Sequence, residues 1–283
     1  MTPFLASELA PAEMGQGARF RVIPVPLERT VSYGAGTAAG PAAILEASQE
    51  LEREVRARTP AADGIQTEAP LNCDGPLPEV MARLADRTEA AVTAGAVPVV
   101  LGGEHSLTFG AVTGVQRALG RPIGIVQIDA HADLRVAYQG EVHSHASVMH
   151  LLTEAGHRLA QFGIRAWSGE EKATARARDV FVQEAEDLVA GHHFAVDLPM
   201  GFPEDVYVSF DVDGLDPSIM PATGTPVPGG LAYYQALHLV EHALIGRRCV
   251  GFDVVELAPN GTPAWDFTAA QIVYRLMAAC LTH

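Results

Sequence analysis

Short apolar runs alternate with longer amphipathic segments along most of the chain. Runs rich in Val, Ile, Leu and Phe, bounded by Gly, Pro or charged residues, are typical of buried strands. Six such runs are clear, at 19–26, 97–103, 123–130, 160–164, 206–213 and 249–257, and two weaker ones are found at 64–71 and 179–183. The pattern therefore predicts up to eight strands.

The segments between the runs have helical spacing and carry helix-end signals. Helices are predicted over 41–58 and 78–95, after Ser106, over 231–246, and from Thr268 towards the C-terminus. Pro41 suits the first position of a helix, and a glycine ends the second helix. Gln271 lies three residues after Thr268, as a capping box requires.

Alternation of strand and helix over the whole length predicts a parallel sheet covered by helices on both faces. No Gly/Ser-rich linker, repeat or change of composition divides the chain, so we expect one domain over residues 1–283. The Pro- and Gly-rich stretch 216–230 is expected to be an ordered, functional loop.

Composition narrows the possible partners and the compartment. The 283 residues are 48% hydrophobic and carry a formal net charge of −15, which fits a globular protein that repels nucleic acid and anionic membranes. A negative net charge of this size tolerates cationic substrates or metal ions, although a need for solubility alone would explain the charge equally well. Three separated cysteines, no signal peptide and no long apolar run predict a cytoplasmic protein with free thiols.

One predicted strand ends in three polar residues at alternate positions. In the stretch QIDAHADLR, these are Asp129, His131 and Asp133. Alternate side chains of an extended strand point to the same face, so two carboxylates and an imidazole would share one surface. The two negative charges would repel each other unless a cation lay between them.

Three other predicted strands also end in polar residues. These are Glu104 with His105, Asp211 with Asp213, and Asp253 with Glu256. In open α/β sheets, ligands bind beyond the carboxyl ends of the strands. Taken singly, each pair could be a solvated turn or a helix cap, but their coincidence at strand ends favours a shared site.

The chemistry of this set predicts a cluster of two metal ions. Two histidines and four aspartates suit Mn²⁺, Fe²⁺, Co²⁺, Ni²⁺ or Zn²⁺, and they are too many for one tetrahedral zinc with an open position. Carboxylates that bridge two ions would use the whole set and would remove the charge repulsion. Such a pair activates water, so the set indicates a hydrolase.

These residues resemble the motifs of the ureohydrolase family, which includes arginase and agmatinase. The resemblance covers the chain from about residue 20 to its end and rests on GGEHS (102–106), DAHAD (129–133), SHASVM (144–149), SFDVDGLDPSIMPATGTPVPGGL (209–231) and DVVELAP (253–259). It implies a three-layer α/β/α sandwich around a mostly parallel eight-stranded sheet. It also implies two Mn²⁺ ions and a homo-oligomer, a trimer or a hexamer.

The resemblance assigns a role to each motif residue. One ion would be bound by His105, Asp129, Asp133 and Asp211, and the other by Asp129, His131, Asp211 and Asp213. The implied reaction is hydrolysis of a guanidinium group to urea and an amine. Asp133 would orient the attacking hydroxide, His145 would pass a proton to the leaving amine, and Glu256 would pair with the guanidinium.

The motifs are closer to those of agmatinases than to those of arginases. Leu134 and Arg135 follow the last aspartate, where arginases carry polar contacts for an amino-acid carboxylate. Agmatine is therefore the first substrate expected, with putrescine and urea as products and polyamine biosynthesis as the context. Glu104 replaces the aspartate common in this turn and is expected to change little.

Several departures leave other substrates open. Val136 and Ala137 stand where acidic residues are common in the agmatinase pattern, and His150 and Leu151 stand where two arginines are common. Arg135 could instead bind the carboxylate of guanidinobutyrate or guanidinopropionate. Aminopropylagmatine, arginine, and a non-catalytic metal-binding relative are further alternatives.

Overall fold

Eight strands form one sheet in the computed structural model, which describes residues 2–191 and 196–281. They are β1 Phe20–Val25, β2 Ile65–Thr67, β3 Val97–Gly102, β4 Gly124–Ile128, β5 Arg158–Ile164, β6 Phe181–Glu184, β7 Asp205–Asp211 and β8 Arg248–Val255. Every strand pairing in the described residues is parallel, in the order β2-β1-β3-β8-β7-β4-β5-β6. All eight predicted strands are thus confirmed, including the two weaker ones.

Helices cover both faces of the sheet. They are α1 Gly40–Ala47, α2 Leu77–Thr93, α3 Thr108–Leu119, α4 Val148–Glu154, α5 Gly169–Ala177, α6 Ala185–Ala190, α7 Tyr233–Ala243 and α8 Pro263–Ala279. One core packs α1, α6, α7 and α8 against the sheet, and a second core packs α2 to α5 against the opposite face. In β7, Val206, Val208 and Phe210 enter the first core while Tyr207 enters the second, as the period of two requires. The predicted three-layer sandwich is confirmed.

Two helix boundaries predicted from the sequence are wrong. The first helix ends in a short 3₁₀ turn at Ser48–Glu50 instead of continuing to residue 58. It ends early because the residues that follow form hydrogen bonds with distant parts of the chain instead of within a helix. Leu51 is extended, and the carbonyl of Arg53 accepts a hydrogen bond from the Tyr274 hydroxyl at 2.5 Å. The last helix begins at Pro263 instead of Thr268, since proline is well suited to the first turn.

Three short helices, α4, α5 and α6, were not predicted. Each has fewer than ten residues, too few for a periodic apolar pattern to stand out. The sequence of α5 nevertheless contains a capping box, in which Ser168 and Glu171 exchange hydrogen bonds. No helix of the described residues is long and apolar enough to cross a membrane.

The sheet order brings together the four strands that end in polar residues. The strands β3, β8, β7 and β4 are consecutive neighbours in the middle of the sheet. Because all four are parallel, their carboxyl ends lie along the same edge. Chain connections also reverse direction here, which is where open α/β sheets form a crevice.

Candidate metal and substrate site

The six predicted metal ligands meet at this edge of the sheet. Two groups of side chains each place their ligand atoms within 4.8 Å of one another: His105, Asp129 and Asp211 form one, and Asp129, His131 and Asp213 form the other. Asp129 belongs to both groups, which matches the bridging position predicted for it. Asp211 belongs to the first group alone. The bridging roles of both aspartates stay predictions.

His105 lies at the centre of the first group. Its Nδ1 atom is 3.0 Å from Asp133 Oδ2, 3.2 Å from Asp129 Oδ2 and 3.5 Å from Asp211 Oδ2. Yet this buried nitrogen makes no well-angled hydrogen bond to any described residue. Three carboxylates and an imidazole nitrogen aimed at one point, without hydrogen bonds between them, are the arrangement expected around a shared cation.

The second group is more open to the cavity. His131 Nδ1 lies 3.0 Å from Asp213 Oδ2 and 3.7 Å from Asp129 Oδ1. The His131 side chain is 27% exposed, whereas both carboxylates are almost completely buried. This imidazole therefore stands between the buried carboxylates and the space that a substrate would enter.

The titration behaviour of the site shows how strongly it favours positive charge. Burial opposes the charged form of His131, yet the carboxylates of Asp213 and Asp129 raise its pKa to about 11. Burial likewise opposes the charged form of His105, while Asp129 and Asp133 raise its pKa well above the usual value. Burial and the neighbouring Asp129 raise the pKa of Asp133 to about 6. Divalent cations would supply the missing charge, so the residues present fit a metal pair.

Hydrogen bonds from backbone N–H groups and from one side-chain amide hold the ligands in place. The two Asp129 carboxylate oxygens accept from the Gln127 amide and from the His131 backbone N–H, each at 2.6 Å. Asp213 Oδ1 accepts from the Ala130 N–H at 3.0 Å, which ties the end of β7 to the end of β4. The carboxylates are thus positioned before any ion arrives, a form of preorganisation.

Asp133 and Glu256 both have left-handed backbones, with φ values of 52° and 64°. Non-glycine residues rarely adopt this conformation, because it is unfavourable in free energy. It persists only where contacts with the surrounding structure impose it. The Asp133 carbonyl accepts from two N–H groups of α4, those of Met149 and His150, and the Glu256 N–H donates to the Gly103 carbonyl at 2.8 Å. These bonds turn both side chains out of their strand direction into the site.

The GGEHS turn after β3 packs too closely for larger residues. A Cβ atom on Gly103 would lie 1.9 Å from the Leu27 carbonyl oxygen, so only glycine fits. The close approach lets the Glu104 N–H donate to that carbonyl at 2.8 Å. His105, which follows directly, donates from its own N–H to Glu256 Oε1 at 2.6 Å. The turn therefore links the metal ligand to the predicted guanidinium-binding carboxylate.

The cluster opens into a cavity of about 370 Å³. His145, Glu256 and Arg135, predicted to contact substrate, all line this cavity together with His131 and Asp133. Aromatic rings also contribute to its wall: Tyr33, Tyr138 and Trp167. The structure thus brings every predicted site residue to one place.

The four positions at which the sequence departs from the agmatinase pattern do not line the cavity within the described chain. Val136 and Ala137 are exposed beside it, and His150 and Leu151 lie on α4. His150 is largely buried, with its Nε2 3.8 Å from Glu154. These departures therefore change the surroundings of the site but not its inner wall.

Arg135 is already occupied by neighbours of its own. Its guanidinium lies 3.9 Å from the Glu171 carboxylate and stacks 5.6 Å from the centre of the Tyr138 ring. Glu171 is buried and also accepts hydrogen bonds from Ser168. A substrate carboxylate at Arg135 would have to compete with this intramolecular partner.

Sequence reasoning placed Asp253 near the end of a strand at the site but did not predict its contacts, and it missed Ser209 and Thr30. His105 Nε2 contacts the Ser209 hydroxyl, and the carboxylate of Asp253 accepts from Ser209, Thr108 and Tyr207 at 2.8–3.0 Å. Ser209 and Asp253 lie inside the quoted motifs, so their position one strand apart in a parallel sheet was a usable signal. Thr30, which contacts both Glu104 and His145, has no motif around it and was not predictable.

Comparison with known proteins agrees with the geometry. A family model described as the Arginase family matches residues 18–279. An N(1)-aminopropylagmatine ureohydrolase of Thermus thermophilus is 40% identical over 262 residues, covering 91% of this chain and 88% of that protein. The protein of the same name in Synechocystis sp. is 35% identical over 266 residues, covering 90% and 87% of the two chains.

A solved structure shares the whole fold. The agmatine ureohydrolase of Thermoplasma volcanium superposes with a TM-score of 0.85 at 28% sequence identity, covering 99% of this chain and 94% of that one. The match extends over the sheet and both helical layers, so it includes the strand ends that carry the ligand cluster.

Proposed function

The chain belongs to the arginase family of metal-dependent hydrolases, and from this premise we propose that it hydrolyses a linear guanidino-amine to urea and an amine. One observation carries the proposal. Two groups of metal-ligating side chains share Asp129, and the cavity beside them is lined by His145 and Glu256. The cavity thus combines a place for two cations with a carboxylate and an imidazole for the substrate.

The proposed cofactor is a pair of Mn²⁺ ions. Its ligands are the six residues predicted from the motifs: His105, Asp129, His131, Asp133, Asp211 and Asp213. Imidazole and carboxylate ligands suit this ion. One cation would leave part of the set unused, and we therefore propose two. When bound, the pair would lower the pKa of a water molecule and make it a nucleophile near neutral pH.

In the proposed reaction, an oxygen from water bonds to the guanidinium carbon and the bond from that carbon to the alkyl-substituted nitrogen breaks. Both protons of that water must reach the departing nitrogen, one as the bond breaks and one on the freed amine, so that urea and an alkylammonium ion are released. Asp133 is proposed to orient the nucleophile and hold its proton, because its Oδ2 faces the same point as the ligands of the first group. His145 is proposed to deliver a proton to the leaving amine.

Glu256 is proposed to orient the guanidinium. Its Oε1 accepts from the His105 N–H at 2.6 Å, which fixes the carboxylate and leaves Oε2 for the substrate. Burial raises the pKa of Glu256 to about 8, so a cationic partner would restore its charge. A carboxylate and a guanidinium form charge-assisted hydrogen bonds with defined geometry, and this would point the reactive carbon at the cluster.

Amines are favoured over carboxylates at the far end of the substrate. The Glu171 carboxylate lies 3.9 Å from the Arg135 guanidinium, and its negative charge opposes the approach of a second carboxylate, such as that of guanidinobutyrate or guanidinopropionate. Tyr33 in the aromatic wall suits an ammonium group, which is attracted to ring faces. The other two rings of that wall, Tyr138 and Trp167, already lie against Arg135 and Lys172. The two relatives compared above are both named for N(1)-aminopropylagmatine, which supports this longer diamine alongside agmatine, the first substrate predicted.

The test is urea release by the purified, Mn²⁺-loaded chain. N(1)-aminopropylagmatine, agmatine, L-arginine and 4-guanidinobutyrate would be compared at equal concentration. We expect turnover with one or both amines, and none with either of two matched inactive variants, His131→Ala and Asp213→Ala. Preference for 4-guanidinobutyrate would overturn the amine assignment, and a fully metal-loaded chain that released no urea from any of the four would overturn the activity.

The proposal extends to the domain organisation, the oligomer and the location of the protein. We propose one ureohydrolase domain over residues 1–283, because the single sheet takes strands from Phe20 to Val255. We also propose a homo-oligomer, either a trimer or a hexamer, from the resemblance of the motifs, and a cytoplasmic location from the composition. Light scattering of the purified chain would measure the oligomer.

A further inference from the structure

Thr30 lies between a buried carboxylate and the imidazole proposed to move the proton. Its hydroxyl oxygen is 2.9 Å from Glu104 Oε1 on one side and 3.1 Å from His145 Nδ1 on the other. The same oxygen accepts a hydrogen bond from the His145 backbone N–H at 3.0 Å. Residues 30 and 145 are thus joined twice, through the side chain and through the backbone of His145.

Four hydrogen-bond donors surround the carboxylate group of Glu104. Oε2 accepts from the backbone N–H groups of Arg29 and Thr30, and Oε1 accepts from the hydroxyls of Thr30 and Ser106. A carboxylate has about four lone-pair sites, and all of them are filled by donors here. Since Glu104 is completely buried, these bonds also remove any need for water.

The direction of each hydrogen bond follows from this count. A hydroxyl group has one proton, and the Thr30 proton points to Glu104 because a carboxylate can only accept. The Thr30 oxygen must then accept from His145, so Nδ1 of that imidazole carries a hydrogen. In a neutral imidazole the other nitrogen, Nε2, is left with the free lone pair.

We propose that Thr30, anchored by Glu104, is a positioning residue that holds His145 in its Nδ1–H tautomer and leaves Nε2 as the nitrogen that exchanges a proton with the substrate. The Tyr138 ring packs edge-on against the imidazole, with the ring centres 5.5 Å apart, and restricts its rotation from another side. This inference rests on the proposed function for its catalytic meaning. Its structural content, the tautomer, stands independently of the substrate.

The kinetic test removes the hydroxyl and keeps the shape. Thr30→Val is the isosteric variant, and Thr30→Ser is its matched control because serine retains the donor and the acceptor. In the Mn²⁺-loaded chain we expect Thr30→Val to lower kcat about 10- to 100-fold with KM nearly unchanged. Thr30→Ser should retain most of the wild-type kcat. Equal kcat values for the two variants would overturn the proposal.

A spectroscopic test reads the tautomer directly. The full chain would be labelled with ¹⁵N-histidine, loaded with diamagnetic Zn²⁺ and studied by NMR at pH 8, with His145→Asn identifying the signals. We expect a protonated Nδ1 and an unprotonated Nε2 in the wild-type chain and in Thr30→Ser. Protonation at Nε2 in the wild-type chain would overturn the proposal, whether or not any guanidine is hydrolysed.

Glu104→Gln is expected to reverse the direction of the hydrogen bond between Thr30 and His145. The backbone donors of Arg29 and Thr30 would hold the amide oxygen, which turns the amide NH₂ towards the Thr30 hydroxyl. That hydroxyl would then accept from the amide and donate to His145, which moves the imidazole hydrogen to Nε2. An unchanged Nδ1–H signal in a folded Glu104→Gln chain would contradict the proposed relay. A failure of all urea release in the wild-type chain would instead contradict the proposed function and leave this readout intact.

Discussion

His105 Nε2 lies 2.8 Å from the Ser209 hydroxyl oxygen, which in turn lies 2.8 Å from Asp253 Oδ1. Because the Ser209 proton is donated to the carboxylate, the hydroxyl oxygen must accept from the imidazole. The hydrogen of His105 is therefore on Nε2 when the ring is neutral. The lone pair of Nδ1 then faces Asp129 and Asp133, as a metal ligand requires.

Ser209→Ala is expected to weaken metal binding without removing any ligand. Loss of the acceptor frees the His105 ring to change tautomer and orientation, and outer partners of this kind are typically worth about 10- to 100-fold in metal affinity. Competition with a metal-binding indicator would measure the dissociation constants. Thr88→Val is a matched control, because Thr88 is a buried hydroxyl that bonds α3 away from the site. Equal metal affinity in Ser209→Ala and wild type would show that the hydrogen bond between His105 and Ser209 does not affect metal binding.

The shared position of Asp129 predicts different metal contents for different variants. His131→Asn removes a ligand of the second group alone, so about one ion per chain should remain. Asp129→Asn touches both groups and should leave less than one. Metal analysis after gel filtration would measure both numbers. Equal metal content in the two variants would show that Asp129 does not bridge.

Metal binding is expected to release protons at neutral pH. In the metal-free cluster the carboxylates of Asp213 and Asp129 hold the pKa of His131 at about 11, so this imidazole carries an extra proton at pH 7.5. A histidine that binds a metal must be neutral, and the ion bound by His131 therefore displaces about one proton from it. Acid should weaken binding for the same reason, because protons compete for the same nitrogen.

Calorimetry would measure this release. Titration of Mn²⁺ into the metal-free full chain, in buffers of different ionisation enthalpy, gives the number of protons from the slope of the apparent enthalpy. His131→Asn should reduce that number by about one. An apparent enthalpy that is independent of the buffer would contradict the charge state described here.

The fold and the ligand set were predictable from the sequence because they depend on local pattern and on one topological rule. Apolar runs identify strands, and the carboxyl ends of parallel strands meet at one edge. These two rules predict that Asp129, Asp211 and His105 lie close together, even when the order of the strands is unknown. The order itself places β3, β8, β7 and β4 next to one another, which explains why these four strands supply the site.

Other features depend on contacts that no local pattern records. Thr30 meets His145 across 115 residues, and Tyr274 meets the Arg53 carbonyl across 221 residues. The second contact accompanies the early end of α1, so helical spacing alone predicted too long a helix. The expectation that Glu104 changes little stays a prediction, but no local pattern showed that its carboxylate joins the turn after β3 to residues 29 and 30.

The loop over 216–230, expected to be ordered, is organised by one carboxylate beside the cavity. Asp216 accepts from the Ser218 hydroxyl and N–H and from the N–H groups of Gly229 and Gly230. These bonds, the Ser218 hydroxyl first, lower the pKa of Asp216 to about 2. Gly224 and Thr225 of the same loop line the cavity, so the carboxylate supports part of its wall.

Asp216→Asn is therefore expected to lower the free energy of unfolding in a pH-dependent way. The unfolded carboxyl has a pKa near 4 and the folded one about 2, so the stabilisation is complete above about pH 5 and is lost as the pH falls towards 2. Because the group is partly exposed, we expect a cost of about 1 kcal/mol at pH 7 and much less at pH 2.5. Urea unfolding of the metal-free chain in EDTA would measure both. Ser218→Ala, which removes the strongest donor, should reproduce part of the effect, and an equal cost of Asp216→Asn at both pH values would contradict this account of the loop.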